Sequence, residues 1–129
     1  MPLILIVDDS PTEVHVMQKA LEKHGYRTAA AADGAEGVRL AREMSPDLIF
    51  MDLGMPSMSG IEATVCLRES VVTKDVPIII CTAWMAQNHR EAALRFGARE
   101  VISKPVSLHQ LQTMLLRYFP TPTEASQAH

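Results

Sequence analysis

Leu3-Ile4-Leu5-Ile6-Val7-Asp8-Asp9-Ser10-Pro11-Thr12-Glu13 is the stretch that decides the fold. Five consecutive apolar residues, two of them isoleucine and one valine, fit a strand buried on both faces, as parallel strands are. A helix start follows at once. Ser10 can cap it, Pro11 sits where its missing N–H costs nothing, and Glu13 can reach back as the capping-box partner. The two aspartates are thereby left at the carboxyl end of the strand, against the start of the helix.

The same grammar recurs along the chain. Leu48–Met51 runs into Asp52, Ile78–Cys81 into Thr82, and Val101–Ser103 into Lys104. Arg27–Ala31 reads as a weaker strand, poor in large side chains. Between these runs lie segments of helical length. The first reaches about His24 and stops at Gly25, and the second follows Asp33-Gly34 to about Met44, broken by Ser45-Pro46-Asp47. A loop over 53–59, dense in Gly, Pro and Ser, leads at Gly60 into a third helix ending near Ser70. Gln87 to Phe96 forms a fourth, capped by Gly97, and Ser107 opens a fifth that reaches about Tyr118. Residues 1–120 make one domain, and 121–129, without large apolar side chains, make a frayed tail.

Five strands alternating with five helices predict an α/β fold: a doubly wound, flavodoxin-like (βα)5 unit. The common strand order for such a sheet is 2-1-3-4-5, which makes the first and third strands neighbours at the switch point. Ligands of open parallel sheets bind outside the carboxyl ends of the strands. Asp8, Asp9, Asp52, Thr82 and Lys104 should therefore gather at one edge. Three carboxylates, a hydroxyl and an ammonium suit a hard cation and a phosphoryl group. Taken singly, each has a plainer role: an aspartate at a strand end often only caps or turns, and a lone lysine is usually a solvated charge.

Composition narrows the partners. A chain of 129 residues with net charge −3, from 12 basic and 15 acidic residues, has no basic field for nucleic acid or anionic lipid. No apolar stretch approaches the roughly 20 residues of a membrane helix, so a cytoplasmic protein without membrane partners is expected. Cys66 and Cys81 form neither a disulfide framework nor a metal motif, and the five histidines lack ligand spacing.

With these residues in place the chain resembles a response-regulator receiver domain over residues 1–120. The matching stretches are Ile4 to Ser10, Asp47 to Gly60 with its Asp52-Leu53-Gly54-Met55-Pro56 core, Pro77 to Ala83, Gly97-Ala98, and Ser103-Lys104-Pro105. Val7 to Glu13 is also similar to stand-alone receivers of type IV pilus (twitching) chemotaxis systems. The resemblance implies a single-domain response regulator of a two-component system or phosphorelay. Asp52 would be the phosphoacceptor, taking a phosphoryl group from a histidine kinase or a histidine phosphotransfer protein, with a downstream protein as target. Asp8, Asp9, Asp52 and the Gly54 carbonyl would hold Mg²⁺ or Mn²⁺, and without the cation at least one crowded carboxylate should have a raised pKa. Lys104 and Thr82 would contact the phosphoryl oxygens, the Lys104-Pro105 bond would be cis, and small Ala83 would leave the site reachable. Such a protein is a phosphoacceptor with self-catalysed transfer and slow loss of phosphate, not an enzyme acting on others.

Some positions bear on the switch and on partners. Receivers often carry an aromatic residue three positions before the lysine, and here that position is Val101. Trp84 reads either as packing or as a lid or partner anchor beyond Thr82. On the first helix Val16, Met17, Ala20 and Leu21 fall on one apolar face, which leaves Val14 and Gln18 to meet the histidine-bearing helix of the donor.

Three other classes compete. A haloacid-dehalogenase-type Mg²⁺ phosphatase shares the aspartate nucleophile but needs a second acid two residues on, where this chain has Gly54. A flavodoxin-like nucleotide binder wants a Ser/Thr/Gly-rich loop after the first strand, where Asp8-Asp9 would repel phosphate. A receiver-like interaction module that takes no phosphate would be expected to have lost an acid, the threonine or the lysine, and none is missing.

Overall fold

The computed structural model describes residues 1–55, 58–83 and 87–120. The elements are β1 (Leu3–Val7), α1 (Pro11–Lys23), β2 (Arg27–Ala31), α2 (Gly34–Met44), β3 (Leu48–Asp52), α3 (Gly60–Arg68), β4 (Ile78–Thr82), α4 (Gln87–Arg95), β5 (Glu100–Ser103) and α5 (Leu108–Tyr118). All strand pairs are parallel, in the order β2-β1-β3-β4-β5. This is the doubly wound arrangement expected from the alternation of apolar runs and helices.

Strand parity divides the core into two layers, because successive side chains of a strand point to opposite faces. Leu5, Val7, Ile49, Met51, Ile78, Ile80 and Val101 pack with Val38, Ala41, Ala63, Leu67 and Ala93 of α2, α3 and α4. Ile4, Ile6, Leu48, Phe50, Ile79, Cys81 and Ile102 pack with Leu21, Leu111, Met114 and Leu115 of α1 and α5. Each fully buried side chain of this size contributes roughly 1.5–3 kcal/mol. The sheet is thus held from both sides, and its carboxyl edge is fixed in place.

Helix starts follow the chain's polar punctuation. Asp33 accepts from the Glu36 N–H and Ser107 from the Gln110 N–H, while Ser59 and Glu62 form a complete capping box. The box expected at Ser10 and Glu13 is only half made. Ser10 accepts from the Glu13 N–H, but its own N–H donates to Asp8 Oδ1 at 2.9 Å, and the Glu13 side chain turns to Lys104. A charged partner outcompetes a backbone amide for that carboxylate.

Met17, Ala20 and Leu21 of α1 pack inward as expected, but the edge of the apolar face differs. Val14 is half-buried against the core with Met17 and Ala20, and Gln18 donates to Thr28 Oγ1 on β2, whereas Val16 is 62% exposed. The inward face is Val14, Met17, Gln18, Ala20 and Leu21, and the polar Gln18 in that stripe disguises its edge.

Candidate functional site

Register brings the polar strand ends together. Val7 pairs with Met51, Asp52 with Cys81, and Thr82 with Ser103, so Asp8, Asp52, Thr82 and Lys104 leave the sheet at one edge. Backbone bonds carry the alignment just past the strands: Asp8 N–H to Ala31 O at 3.0 Å and Lys104 N–H to Thr82 O at 2.8 Å. The turn after β3 closes tightly, for a Cβ on Gly60 would stand 2.3 Å from the Asp52 carbonyl oxygen. Glycine is what lets α3 start this close to the end of β3.

One carboxylate oxygen from each of Asp8, Asp9 and Asp52 lies within 4.8 Å of the others. Asp8 is buried, Asp52 half-buried and Asp9 exposed. Lys104 Nζ stands 2.8 Å from Asp8 Oδ2, 3.4 Å from Asp52 Oδ1 and 2.6 Å from Glu13 Oε1. Thr82 is buried at the end of β4 and Ala83 beside it is exposed. The Lys104-Pro105 peptide bond is cis. Asp8, Glu13, Asp52, Ala83, Lys104 and Pro105 line an open cavity of about 670 Å³ that runs down between α1 and α5, past Val16, Met17, Val106 and Leu108.

Burial pushes the Asp52 carboxyl above the usual carboxylate range, and Asp8 adds to the shift, while Lys104 and the Gly54 N–H oppose it. A raised carboxylate was expected from crowding alone, but desolvation is the larger cause. Burial also works against the Lys104 charge, yet its hydrogen bonds to Asp8 and Glu13 outweigh that and hold the ammonium above its ordinary value. The Cys81 thiol, buried under the site, is pushed up to about 12 and stays protonated.

The donor set is all oxygen and carries up to three negative charges, which fits a hard divalent cation of the Mg²⁺ type. Gly54 is exposed in the turn after β3, and its N–H donates to the Asp52 carboxylate. Trp84 lies outside the described residues, as does Pro56. Val101 is buried in the layer beneath α4, and its carbonyl accepts from Arg90 Nη1 of that helix at 3.1 Å. Glu13 was not anticipated in the site. Its position in the first turn of α1 signals a cap, and nothing local in the sequence says that Lys104, ninety-one positions on, competes for it.

The sequence matches the family model described as the response regulator receiver domain over residues 4–116. The chain belongs to this family. Among curated receivers it is 42% identical to the protein PilH of Pseudomonas aeruginosa over 106 residues, spanning 82% of this chain and 88% of that protein. The polar-differentiation response regulator DivK of Brucella ovis is 34% identical over 105 residues, 81% of this chain and 85% of that one. The receiver fold superposes on the Vibrio cholerae chemotaxis protein CheY4 with a TM-score of 0.86 at 30% identity, covering 92% and 98% of the two chains. The receiver domain of the sensor histidine kinase PA1611 of P. aeruginosa, solved with a magnesium ion in its active-site cleft, superposes with a TM-score of 0.84 at 36% identity, covering 91% and 96%. This receiver therefore has both the likeness to twitching-chemotaxis receivers and the flavodoxin-like fold that its sequence suggested. Among the described residues no helix is long and apolar enough to cross a membrane.

Proposed function

We propose that this receiver is a phosphorylation-switched signalling protein that takes a phosphoryl group from a phosphohistidine donor onto Asp52. The observation that carries the reading is the placement of the Asp52 carboxylate. It lies within 4.8 Å of oxygens of Asp8 and Asp9 on one side and 3.4 Å from a lysine ammonium on the other. A nucleophile flanked by a cation-binding pair and a fixed positive charge is what transfer of an anionic group requires.

In the step proposed, an Asp52 Oδ attacks phosphorus and a P–O bond forms as the P–N bond to the donor imidazole breaks. The bonding pair returns to the imidazole nitrogen, which takes a proton from solvent. Asp8, Asp9 and Asp52, with the Gly54 carbonyl, would hold the divalent cation, which when bound neutralises phosphoryl charge. Lys104 pairs with a phosphoryl oxygen and Thr82 donates its hydroxyl to another. Water attack at phosphorus later releases inorganic phosphate and restores the carboxylate. Gly54 supplies no acid for a leaving group, which argues against a phosphatase acting on other substrates.

Partners follow from the same reading. A histidine kinase or a histidine phosphotransfer protein would lay its histidine-bearing helix over the groove between α1 and α5, where Val16 and Leu108 are exposed beside the site. The output is phosphorylation-dependent protein binding or drainage of phosphate from a kinase. With Val101 in place of an aromatic switch residue, the Arg90 bond to its carbonyl is a direct link from β5 to α4. The test is incubation with acetyl phosphate and Mg²⁺, followed by intact mass. One alkali-labile phosphoryl group should appear, depend on divalent metal and vanish in Asp52→Asn; persistence in that variant would place the nucleophile elsewhere.

A further inference from the structure

We infer that Glu13 is a positioning residue for the phosphoryl transfer: it latches Lys104 in the unphosphorylated protein and must hand the ammonium over when the phosphoryl group arrives. The inference rests on the reading of Asp52 as phosphoacceptor and concerns how that site is regulated.

An ammonium has three N–H donors and no more. In this structure three carboxylates crowd it: Nζ donates to Asp8 Oδ2 at 2.8 Å and is ion-paired with Glu13 at 2.6 Å and with Asp52 at 3.4 Å. A phosphoryl group arriving at Asp52 finds Lys104 already engaged, and while Asp52 still carries its charge one carboxylate must let go. The three differ in what release costs. The side chains of Asp8 and Asp52 are 9% and 11% exposed, so either would be left poorly solvated, and Asp8 is fixed further by the Ser10 N–H on its other oxygen. The Glu13 side chain is 51% exposed. Water takes over its carboxylate as soon as the lysine leaves, so it is the partner that yields.

Glu13 also forgoes its local alternative. The complete capping box at Ser59 and Glu62 shows what a glutamate three residues after a serine cap does when nothing else calls on it. At α1 the Ser10 N–H is satisfied by Asp8, which frees the Glu13 carboxylate for Lys104. The latch joins the first turn of α1 to the residue before Pro105, two sides of the groove mouth. Its release accompanies phosphorylation, and the energy of the broken pair adds to the barrier for transfer.

The prediction is that loosening the latch speeds labelling. With acetyl phosphate and Mg²⁺ at low ionic strength, Glu13→Gln should acquire phosphate about two- to fivefold faster than the parent, the range of a half-exposed ion pair. Glu13→Asp separates the latch from the general field, since it keeps the charge but is one methylene too short to reach Nζ. Faster labelling in both variants, with melting temperatures close to the parent's, supports the latch. Acceleration in Glu13→Gln alone means that the negative field merely slows the anionic donor, and unchanged or slower labelling means that Glu13 is a cap or a productive guide; either overturns the inference. Failure of the parent to take phosphate on Asp52 would instead overturn the functional reading beneath it.

Discussion

Lys104 Nζ reaches Asp8 Oδ2 at 2.8 Å although ninety-six positions separate the two residues in sequence. The lysine leaves β5 at the edge of the sheet and passes over the ends of β4 and β3 to meet the acid that follows β1. It is the counter-charge of the whole acidic cluster. In Lys104→Met the carboxylates lose it, and roughly 2–3 kcal/mol of stability should go with it in metal-free buffer. Mg²⁺ supplies the missing charge, so thermal unfolding should show a smaller deficit in Mg²⁺ than in EDTA. A deficit of equal size in both would mean that the lysine acts through packing alone.

Gly60 and Gly54 make an opposed pair of tests on either side of the same turn. A Cβ on Gly60 would meet the Asp52 carbonyl at 2.3 Å and the Leu53 Cα at 3.0 Å, both backbone atoms that cannot swing aside. Gly60→Ala should cost about 3 kcal/mol or more and slow labelling of Asp52, because the clash is relieved only by moving β3's end. A Cβ on Gly54 meets nothing within 4 Å, and Gly54→Ala should stay within about 0.5 kcal/mol of the parent. Denaturant unfolding of both variants gives the comparison, and equal costs would refute the close approach at Gly60.

Glu100 gives a pH-dependent prediction away from the site. Partial burial works against its charge, but Arg117 at 2.6 Å and the Tyr118 hydroxyl at 2.5 Å outweigh burial and hold the carboxyl below its ordinary value of 4.5. A depressed folded-state value means stability that is present above about pH 4.5 and lost as pH falls through the folded value. Glu100→Gln should therefore melt lower than the parent at pH 7, with the gap closing as pH falls below about 4.5 and through the folded value. A gap that is constant with pH would show that the lost contact is steric rather than ionic.

How much of this was legible in sequence depends on how far each signal reaches. The strands and their polar ends could be read because a parallel strand buried on both faces is a run of apolar residues, and the sheet edge then collects whatever follows each run. Asp8, Asp52, Thr82 and Lys104 were found in this way. Glu13 was misread because its choice between the Ser10 N–H and Lys104 is made by a residue ninety-one positions on, which no local pattern encodes. Met17, Ala20 and Leu21 of α1 were placed correctly, but the edge of the face was misread because Gln18 lies inward, bonded to Thr28, and Val16 outward. A polar residue with a specific partner and an apolar residue left exposed both invert the usual periodicity signal.

That inversion moves the expected docking contact from Val14 and Gln18 to Val16. Val16 is 62% exposed and lines the groove that leads to Asp52, with Leu108 exposed across it on α5. An exposed apolar pair beside the proposed phosphoacceptor is suited to the apolar flank of a helix presenting its histidine. Val16→Lys should slow transfer from a phosphohistidine protein by about tenfold or more, the effect of a charge placed in an apolar contact, while labelling by acetyl phosphate is unchanged. Val14→Lys should behave differently: the side chain is half-buried against the core layer on the α1 and α5 side of the sheet, so its loss lowers the melting temperature. Comparing the two donors on the two variants decides the matter. If Val16→Lys slows both donors alike, or neither, the groove between α1 and α5 is not where the donor docks.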